Sequence, residues 1–212
     1  MKRISLIVPC LNEEEAIPAF KQEIDRVFKE CLEGYAPELI FVDDGSTDRS
    51  LEMIKKMAEH SPEVKFISFS RNFGKEAAIY AGLEAATGDY AAVMDVDLQD
   101  PPSLLPDMLK AIEKEGYDCA GTRRVTRQGE PLLRSFFARA FYKTIHQISD
   151  TRIVDGARDY KLMTRPVLEA LLSLKEYNRF SKGLYEWVGF RTKWFEYCLL
   201  YTSPSPRDGA TS

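Results

Sequence analysis

The chain has 212 residues, of which 44% are hydrophobic and 29% are charged. This length and apolar content support one domain with a sizeable core and exclude a chain that is disordered throughout. The formal net charge of -4 at pH 7 argues against a general nucleic-acid-binding protein, so no nucleic-acid partner is expected.

The cysteines and the apolar runs indicate the redox compartment of the chain and its relation to membranes. The four cysteines lack the paired spacing of a zinc site and the density of a disulfide framework: Cys10, Cys31, Cys119 and Cys198. We therefore expect reduced thiols in a cytosolic compartment. The N-terminus has no leader pattern, and no apolar run approaches the roughly 20 residues that span a bilayer. The chain is expected to be soluble or peripheral to a membrane.

The first half of the chain alternates short apolar runs with amphipathic segments. The runs are rich in β-branched and aromatic residues and predict strands over residues 4–8, 39–42, 64–69 and 90–94. The amphipathic segments predict helices over residues 13–32, with Asn12 as the cap, and over 48–59 and 75–86. This alternation predicts an α/β fold, a mostly parallel sheet with helices on both faces.

The pattern is less regular in the second half. It predicts helices over residues 104–114, 132–148, 166–174 and 180–188, and strands over 117–122 and 159–163. Residues 198–212 have no core pattern, and their Pro and Ser content favours disorder. This tail also resembles the translation of a sequencing-library adapter. Residues 1–197 are therefore expected to form the domain, and the true C-terminus is expected to be missing.

An acidic motif follows the fourth predicted strand. Asp95, Asp97 and Gln99 stand at alternate positions, so an extended chain would point all three side chains to one face, where they could bind one hard cation. The ordinary alternative is a solvated strand end before a proline turn. A second acidic strand end, residues 43–48, favours the first interpretation, because acidic ends on neighbouring parallel strands would form one cleft.

Several ordered segments resemble those of inverting family 2 glycosyltransferases with the GT-A fold: residues 9–14 (PCLNEE), 42–48 (VDDGSTD), 70–78 (SRNFGKEAA) and 95–102 (DVDLQDPP). Residues 159–163 (DYKLM) and 178–190 (NRFSKGLYEWVGF) are similar to the polyprenyl-phosphate branch of that family, which includes dolichol-phosphate mannose synthases and bacterial undecaprenyl-phosphate glucosyltransferases. The resemblance covers about residues 3–197. It implies a GT-A (Rossmann-like) catalytic domain that moves a hexose from a nucleotide-sugar donor to a polyprenyl phosphate acceptor, with inversion.

The resemblance also assigns roles to the matching residues. The implied ligands of Mg²⁺ or Mn²⁺ are Asp95, Asp97 and Gln99, and the implied catalytic residues are Asp97 and Asp159. The positions around the nucleotide-sugar are Pro9, Leu11, Glu13, Val42, Asp44, Asp95 and Arg123. The candidates for the acceptor phosphate are Arg134, Arg179 and Lys182. A divalent cation suits this chemistry because it neutralises the departing diphosphate.

Some choices stay open on the sequence. Leu11 stands where many relatives carry Tyr, so stacking on the base would be weaker, and the choice between uridine and guanosine stays open. A UDP-sugar is the favoured donor, and GDP-mannose is the alternative. Glu13 and Glu14 suit a charged first helical turn as well as ligand binding. Arg71 and Lys75 could add positive charge near the diphosphate or lie on the surface.

The acceptor and the membrane are the least determined features. An aromatic stripe within residues 134–148, flanked by cations, could lie on an anionic membrane, although core packing explains it equally well. With a lipid acceptor, the expected location is the cytoplasmic side of the cell membrane. A membrane-anchored full-length protein is then expected, and a homo-oligomer formed through a C-terminal membrane region is a further option.

Two alternatives to the lipid acceptor remain. One is a saccharide hydroxyl acceptor, and the other is a non-catalytic nucleotide- or metal-binding domain. A hydroxyl needs a general base, whereas a phosphate monoester, with a second pKa of roughly 6, is already ionised near neutral pH. Asp159 would therefore act as the general base with a saccharide hydroxyl acceptor. With a lipid phosphate acceptor it would instead orient the acceptor.

Overall fold

The computed structural model describes residues 1–124, 154, 156–174, 176 and 179–197. Its strands are β1 (Lys2–Cys10), β2 (Tyr35–Asp43), β3 (Val64–Ser68), β4 (Tyr90–Val93), β5 (Cys119–Arg124), β6 (Ala157–Thr164) and β7 (Thr192–Tyr197). Its helices are α1 (Ala16–Cys31), α2 (Ser50–His60), α3 (Lys75–Ala85), α4 (Leu105–Glu115), α5 (Arg165–Ser173) and α6 (Ser181–Trp187). A short 3₁₀ helix, Pro102–Leu104, precedes α4. The predicted helix over 132–148 and the tail 198–212 lie outside the described residues.

The strands form one seven-stranded sheet in the order β3-β2-β1-β4-β6-β5-β7. Neighbouring strands are parallel except that β6 runs antiparallel to both β4 and β5. The predicted α/β fold with a mostly parallel sheet is therefore confirmed. Because the parallel strands point the same way, the loops after β1, β2 and β4 meet at one edge of the sheet.

Helices cover both faces of the sheet, and β1 shows why. Successive residues of a strand point to opposite faces, and β1 is apolar on both. Leu6 belongs to the core shared with α1, α2 and α4, whereas Ile7 belongs to the core shared with α3, α5 and α6. Gly82 lets α3 approach β1 closely, since a Cβ there would lie 2.3 Å from Cγ2 of Ile7. Each fully buried aliphatic side chain contributes roughly 1.5–3 kcal/mol, so these strands anchor the fold.

The structure differs from the sequence predictions at several places. The helix α1 begins at Ala16, and Asn12 is not its cap: Asn12 has a φ of 55°, and its Oδ1 accepts a hydrogen bond from the Thr47 N–H. The edge strand β7 was not predicted, because its alternation of polar and aromatic residues is short. Further differences, which concern the two acidic strand ends, are described with the site.

No helix within the described part of the chain combines the length and apolar character needed to cross a bilayer.

A buried carboxylate stabilises the edge of the sheet opposite the acidic motif. Glu38 is 2% exposed. It accepts hydrogen bonds from the Ser5 hydroxyl, from Lys65 Nζ at 2.6 Å, and from the N–H and Oγ1 of Thr87 at 2.9 and 2.6 Å. Burial by itself would raise the pKa of Glu38, but the hydrogen bonds from Lys65, Ser5 and Thr87 outweigh it and lower the pKa to about 2.

This carboxylate predicts a dependence of stability on pH. A depressed pKa means that the contribution of Glu38 is fully present above its unfolded pKa of about 4.5 and is lost as the pH falls through about 2. Glu38→Gln should therefore lower the free energy of unfolding at pH 7 by about 3 kcal/mol and flatten its decline between pH 5 and 2. Urea unfolding across that pH range measures both effects. An equally steep decline in the variant would contradict the assignment.

Candidate active site

A cleft of about 270 Å³ opens at the carboxyl edge of the sheet. It is lined by Pro9, Cys10, Leu11, Glu13, Asp44, Asn72, Gly74, Lys75, Ala78, Asp95, Val96 and Asp97. Both acidic strand ends therefore contribute to one cleft, where ligands of open α/β sheets bind. The two ends do not lie on neighbouring strands as predicted, because β1 separates β2 from β4.

The acidic motif turns instead of continuing as a strand. The strand β4 ends at Val93, residues 96–97 form a turn, and Leu98 has a φ of 58°. The prediction that alternation along an extended chain would align the three side chains is therefore wrong. Asp95 and Asp97 line the cleft, and Asp97 Oδ1 accepts the N–H of Gln99 at 3.0 Å. The Gln99 side chain points elsewhere, since its Oε1 lies 3.4 Å from Nη2 of Arg158.

Lys75 joins the acidic motif to Asp159. Its Nζ lies 2.6 Å from Oδ1 of Asp95 and 2.6 Å from Oδ2 of Asp159. A second ammonium group, that of Lys182, lies 3.5 Å from Oδ1 of Asp159. Burial would raise the pKa of Asp159, but these two lysines outweigh it and hold that pKa below its usual range. Asp159 is therefore an anion, and the ammonium group of Lys75 links it to Asp95 in the cleft.

The carboxylate of Asp44 positions the loop before α3. It accepts the backbone N–H of Phe73 at 2.7 Å and that of Gly74 at 3.0 Å. The neighbouring Gly45 has a φ of 76°, and a Cβ there would lie 2.5 Å from the carbonyl carbon of Arg71. The two loops thus pack backbone against backbone. This contact fixes where α3 begins and, with it, where Lys75 enters the cleft.

The loop after β1 is held by the segment that leads into α2. The N–H of Glu13 donates to Ser50 Oγ at 2.8 Å, and the N–H of Glu14 donates to Asp48 Oδ2 at 3.2 Å. In return, the Thr47 N–H of that segment donates a hydrogen bond to Asn12 Oδ1 at 2.8 Å. These hydrogen bonds satisfy backbone groups that the delayed start of α1 leaves unpaired. They connect this wall of the cleft to the segment that leads into α2.

Besides Gln99, four predicted site residues lie away from the cleft or beyond the described chain. Val42 is fully buried in the sheet, and Arg123 forms an ion pair with Glu196 of β7. Arg179 donates to main-chain carbonyls at the end of α5 and stacks on a tyrosine of α3. Arg134 lies outside the described residues. The ligand roles of these four residues stay predictions.

The sequence did not predict a role for two charged residues near the acidic motif, Asp100 and Arg158. Asp100 is 1% exposed and pairs with Arg158, whose Nε lies 3.3 Å from Oδ1. Burial is the main reason that the pKa of Asp100 is raised to about 6. The hydroxyl of Tyr197 in β7 also donates to Asp100. No local sequence signal reports these contacts, because they join the turn after β4 to β6 and β7.

The donor groups fit a divalent cation held jointly with a substrate. Within residues 1–124, 154, 156–174, 176 and 179–197, no three carboxylate, imidazole or thiol groups form a metal cage by themselves. Mg²⁺ is commonly held by one or two carboxylates together with substrate phosphates and water. Asp95 and Asp97 supply such a pair at an open cleft, and Asp95 already faces a positive charge.

Comparison with known proteins identifies the family. The sequence profile of Glycosyl transferase family 2 matches residues 5–172, so the chain belongs to this family. The chain is 43% identical over 190 residues to CsbB of Bacillus subtilis (strain 168), covering 90% of this chain and 56% of that protein. It is 42% identical over 195 residues to the prophage bactoprenol glucosyl transferase homolog of Escherichia coli (strain K12), covering 92% of this chain and 63% of that protein. The chain thus spans less than two thirds of the length of these relatives.

A solved structure supports the same fold. The glucosyl-3-phosphoglycerate synthase of Mycobacterium tuberculosis, in complex with Mn²⁺, UDP and phosphoglyceric acid, superposes with a TM-score of 0.62 at 20% sequence identity. The match covers 98% of this chain and 72% of the synthase. The predicted GT-A fold is therefore confirmed, and the relatives agree with the polyprenyl-phosphate branch of the family.

The contact at Gly45 predicts a stability difference between two glycine variants. Gly45 and Gly116 have φ values of 76° and 75°, but a Cβ at Gly116 would meet nothing within 4 Å. Gly116→Ala should therefore cost only the backbone strain of about 1 kcal/mol, whereas Gly45→Ala must also displace the loop that carries Arg71. Denaturant unfolding should show Gly45→Ala to be less stable by at least a further 1 kcal/mol or so. Equal losses would show that the two loops are not in close contact.

Proposed function

We propose that the chain is the catalytic domain of an enzyme that transfers a hexose from a nucleotide-sugar to a polyprenyl phosphate, with inversion at the anomeric carbon. The donor proposed first is a UDP-sugar, with GDP-mannose as the alternative. One observation carries the proposal: in a family 2 chain, the cleft carboxylate Asp95 shares the ammonium group of Lys75 with a separate carboxylate, Asp159, which also contacts Lys182. The bactoprenol glucosyl transferase homolog among the relatives supports the lipid phosphate as acceptor.

The donor is proposed to bind across the loops after β1, β2 and β4. Pro9, Leu11 and Glu13 line the same cleft as Asp95 and Asp97 and are proposed to face the nucleoside. Asp95 and Asp97 would hold Mg²⁺ or Mn²⁺, which when bound neutralises the diphosphate as it departs. The Mn²⁺ and UDP in the synthase of the same fold support this assignment.

The charges around Asp159 favour an acceptor that is already ionised. Because Lys75 and Lys182 lower the pKa of Asp159, this carboxylate is a weaker proton acceptor than an ordinary aspartate. A phosphate monoester needs no proton removed, and its negative charge would be attracted by the same two ammonium groups. Asp159 is therefore proposed to orient the acceptor, with Lys182, 3.5 Å from it, as a phosphate contact.

The helix α6 supports a lipid acceptor. It carries Lys182 toward Asp159, while the flanking Phe180 and the terminal Trp187 are 48% and 64% exposed. Exposed aromatic side chains beside a cation suit the interface of an anionic membrane. We propose that the domain acts at the cytoplasmic side of the cell membrane. Anchoring of the full-length protein and oligomerisation through a further region are proposals of the same kind.

An acceptor panel tests this function. The chain is incubated with UDP-glucose, UDP-galactose or GDP-mannose in Mn²⁺ buffer, with or without undecaprenyl phosphate in detergent, and release of nucleoside diphosphate is measured. Release should rise at least tenfold with the lipid. Asp159→Asn should lower this rate by about tenfold, rather than by the 10²- to 10⁴-fold typical of a lost general base. Release that requires a saccharide hydroxyl instead of the lipid would overturn the proposal.

Metal dependence is tested separately from acceptor choice. Asp95→Asn and Asp97→Asn should each weaken Mn²⁺-dependent binding of the preferred nucleotide-sugar by at least tenfold, because each removes one anionic ligand. Isothermal titration calorimetry with and without Mn²⁺ measures the effect. Glu52→Gln, which removes an exposed carboxylate from α2, is the matched control and should bind as the unsubstituted chain does. Unchanged binding in both aspartate variants would contradict the assignment.

A further inference from the structure

Lys75 contacts two carboxylates that come from different strands. Asp95 follows β4 and lines the cleft, whereas Asp159 lies on β6. One oxygen of each lies 2.6 Å from the same Nζ. Without a cation between them, two carboxylates this close would repel each other. Lys75 therefore balances charge between the side of the site assigned to the donor and the side assigned to the acceptor.

We propose that Lys75 is a positioning residue that competes with the divalent cation for Asp95 and moves fully to Asp159 when the metal and donor bind. The proposal deepens the proposed function and rests on its assignment of Asp95 as a metal ligand. In the ligand-free chain, the ammonium group would supply the positive charge that Asp95 otherwise receives from the metal. Donor loading would then change the charge around Asp159, where the acceptor is proposed to bind.

The geometry allows this movement without a change of fold. The backbone before Lys75 is fixed because the Asp44 carboxylate accepts the N–H groups of Phe73 and Gly74. The Lys75 side chain is 43% exposed and has a flexible four-carbon stem. Its Nζ already contacts Asp159, so a small rotation is sufficient to leave Asp95.

A divalent ion would favour that rotation. An ammonium group and a divalent cation on the same carboxylate repel each other, and the repulsion is strong in a partly buried site. The ammonium group has a second anionic partner, whereas the Asp95 and Asp97 pair is the site that suits the metal. The two cations would therefore separate to different carboxylates.

Mn²⁺ binding in the absence of any substrate tests the competition. Lys75→Met removes the charge but keeps the length of the side chain, so free Mn²⁺ measured by electron paramagnetic resonance should report about tenfold tighter binding. Lys75→Arg keeps a cation and should bind Mn²⁺ as weakly as the unsubstituted chain. Lys182→Met is the matched control, since Lys182 contacts Asp159 at 3.5 Å, and it should change Mn²⁺ affinity by less than twofold.

The outcomes separate this proposal from the proposed function. Unchanged or weaker Mn²⁺ binding by a folded Lys75→Met chain overturns the competition, and Lys75→Gln provides the same comparison if the Met variant does not fold. If Asp95→Asn leaves Mn²⁺ affinity unchanged, the metal assignment itself fails, and the competition fails with it. If Asp95→Asn weakens Mn²⁺ binding but Lys75→Met has no effect, only the competition is rejected. A purely structural salt bridge would move the melting temperature of Lys75→Met without tightening Mn²⁺ binding.

Discussion

The ion pairs of Lys75 with Asp95 and Asp159 connect the two halves of the sheet. Strands β1 to β4 form the parallel half, and β6 runs in the opposite direction beside β4. The antiparallel direction of β6 is what places Asp159, near its start, at the same edge as the end of β4. A parallel strand in that position would carry its first residues to the far edge. The site depends on this reversal as much as on the acidic motif.

The cleft is built from backbone contacts between loops more than from side chains that reach toward a ligand. Asp44 accepts two backbone N–H groups, and the loops at Gly45 and Arg71 are in direct backbone contact. Buried backbone groups need partners, so each such hydrogen bond also fixes a loop. Asp44, which the sequence suggests as a ligand-binding residue, therefore also has a structural role. These contacts hold the walls of the cleft at a set distance from one another.

Charge balance explains the composition of the site. In the proposed function, Asp95 and Asp97 hold a divalent cation and Asp159 orients the acceptor, but the three carboxylates together would repel a donor diphosphate and a phosphate acceptor. Lys75 and Lys182 offset part of that charge where the carboxylates lie closest to them. The Lys75 charge is carried on a flexible four-carbon stem, which allows the movement proposed above. The proposed transfer between two anionic substrates uses both the positive charge of the lysines and the flexibility of the Lys75 side chain.

The sequence by itself determined the strand and helix order from β1 to β5, the family and the acidic residues at the ends of β2 and β4, because hydrophobic periodicity and short motifs are local. It did not determine that residues 96–97 turn, that Gln99 points toward Arg158, or that Lys75 bridges Asp95 and Asp159. The last two features depend on contacts between residues far apart in the chain. Only the tertiary structure decided them, because the antiparallel pairing of β6 with β4 sets which distant charges meet.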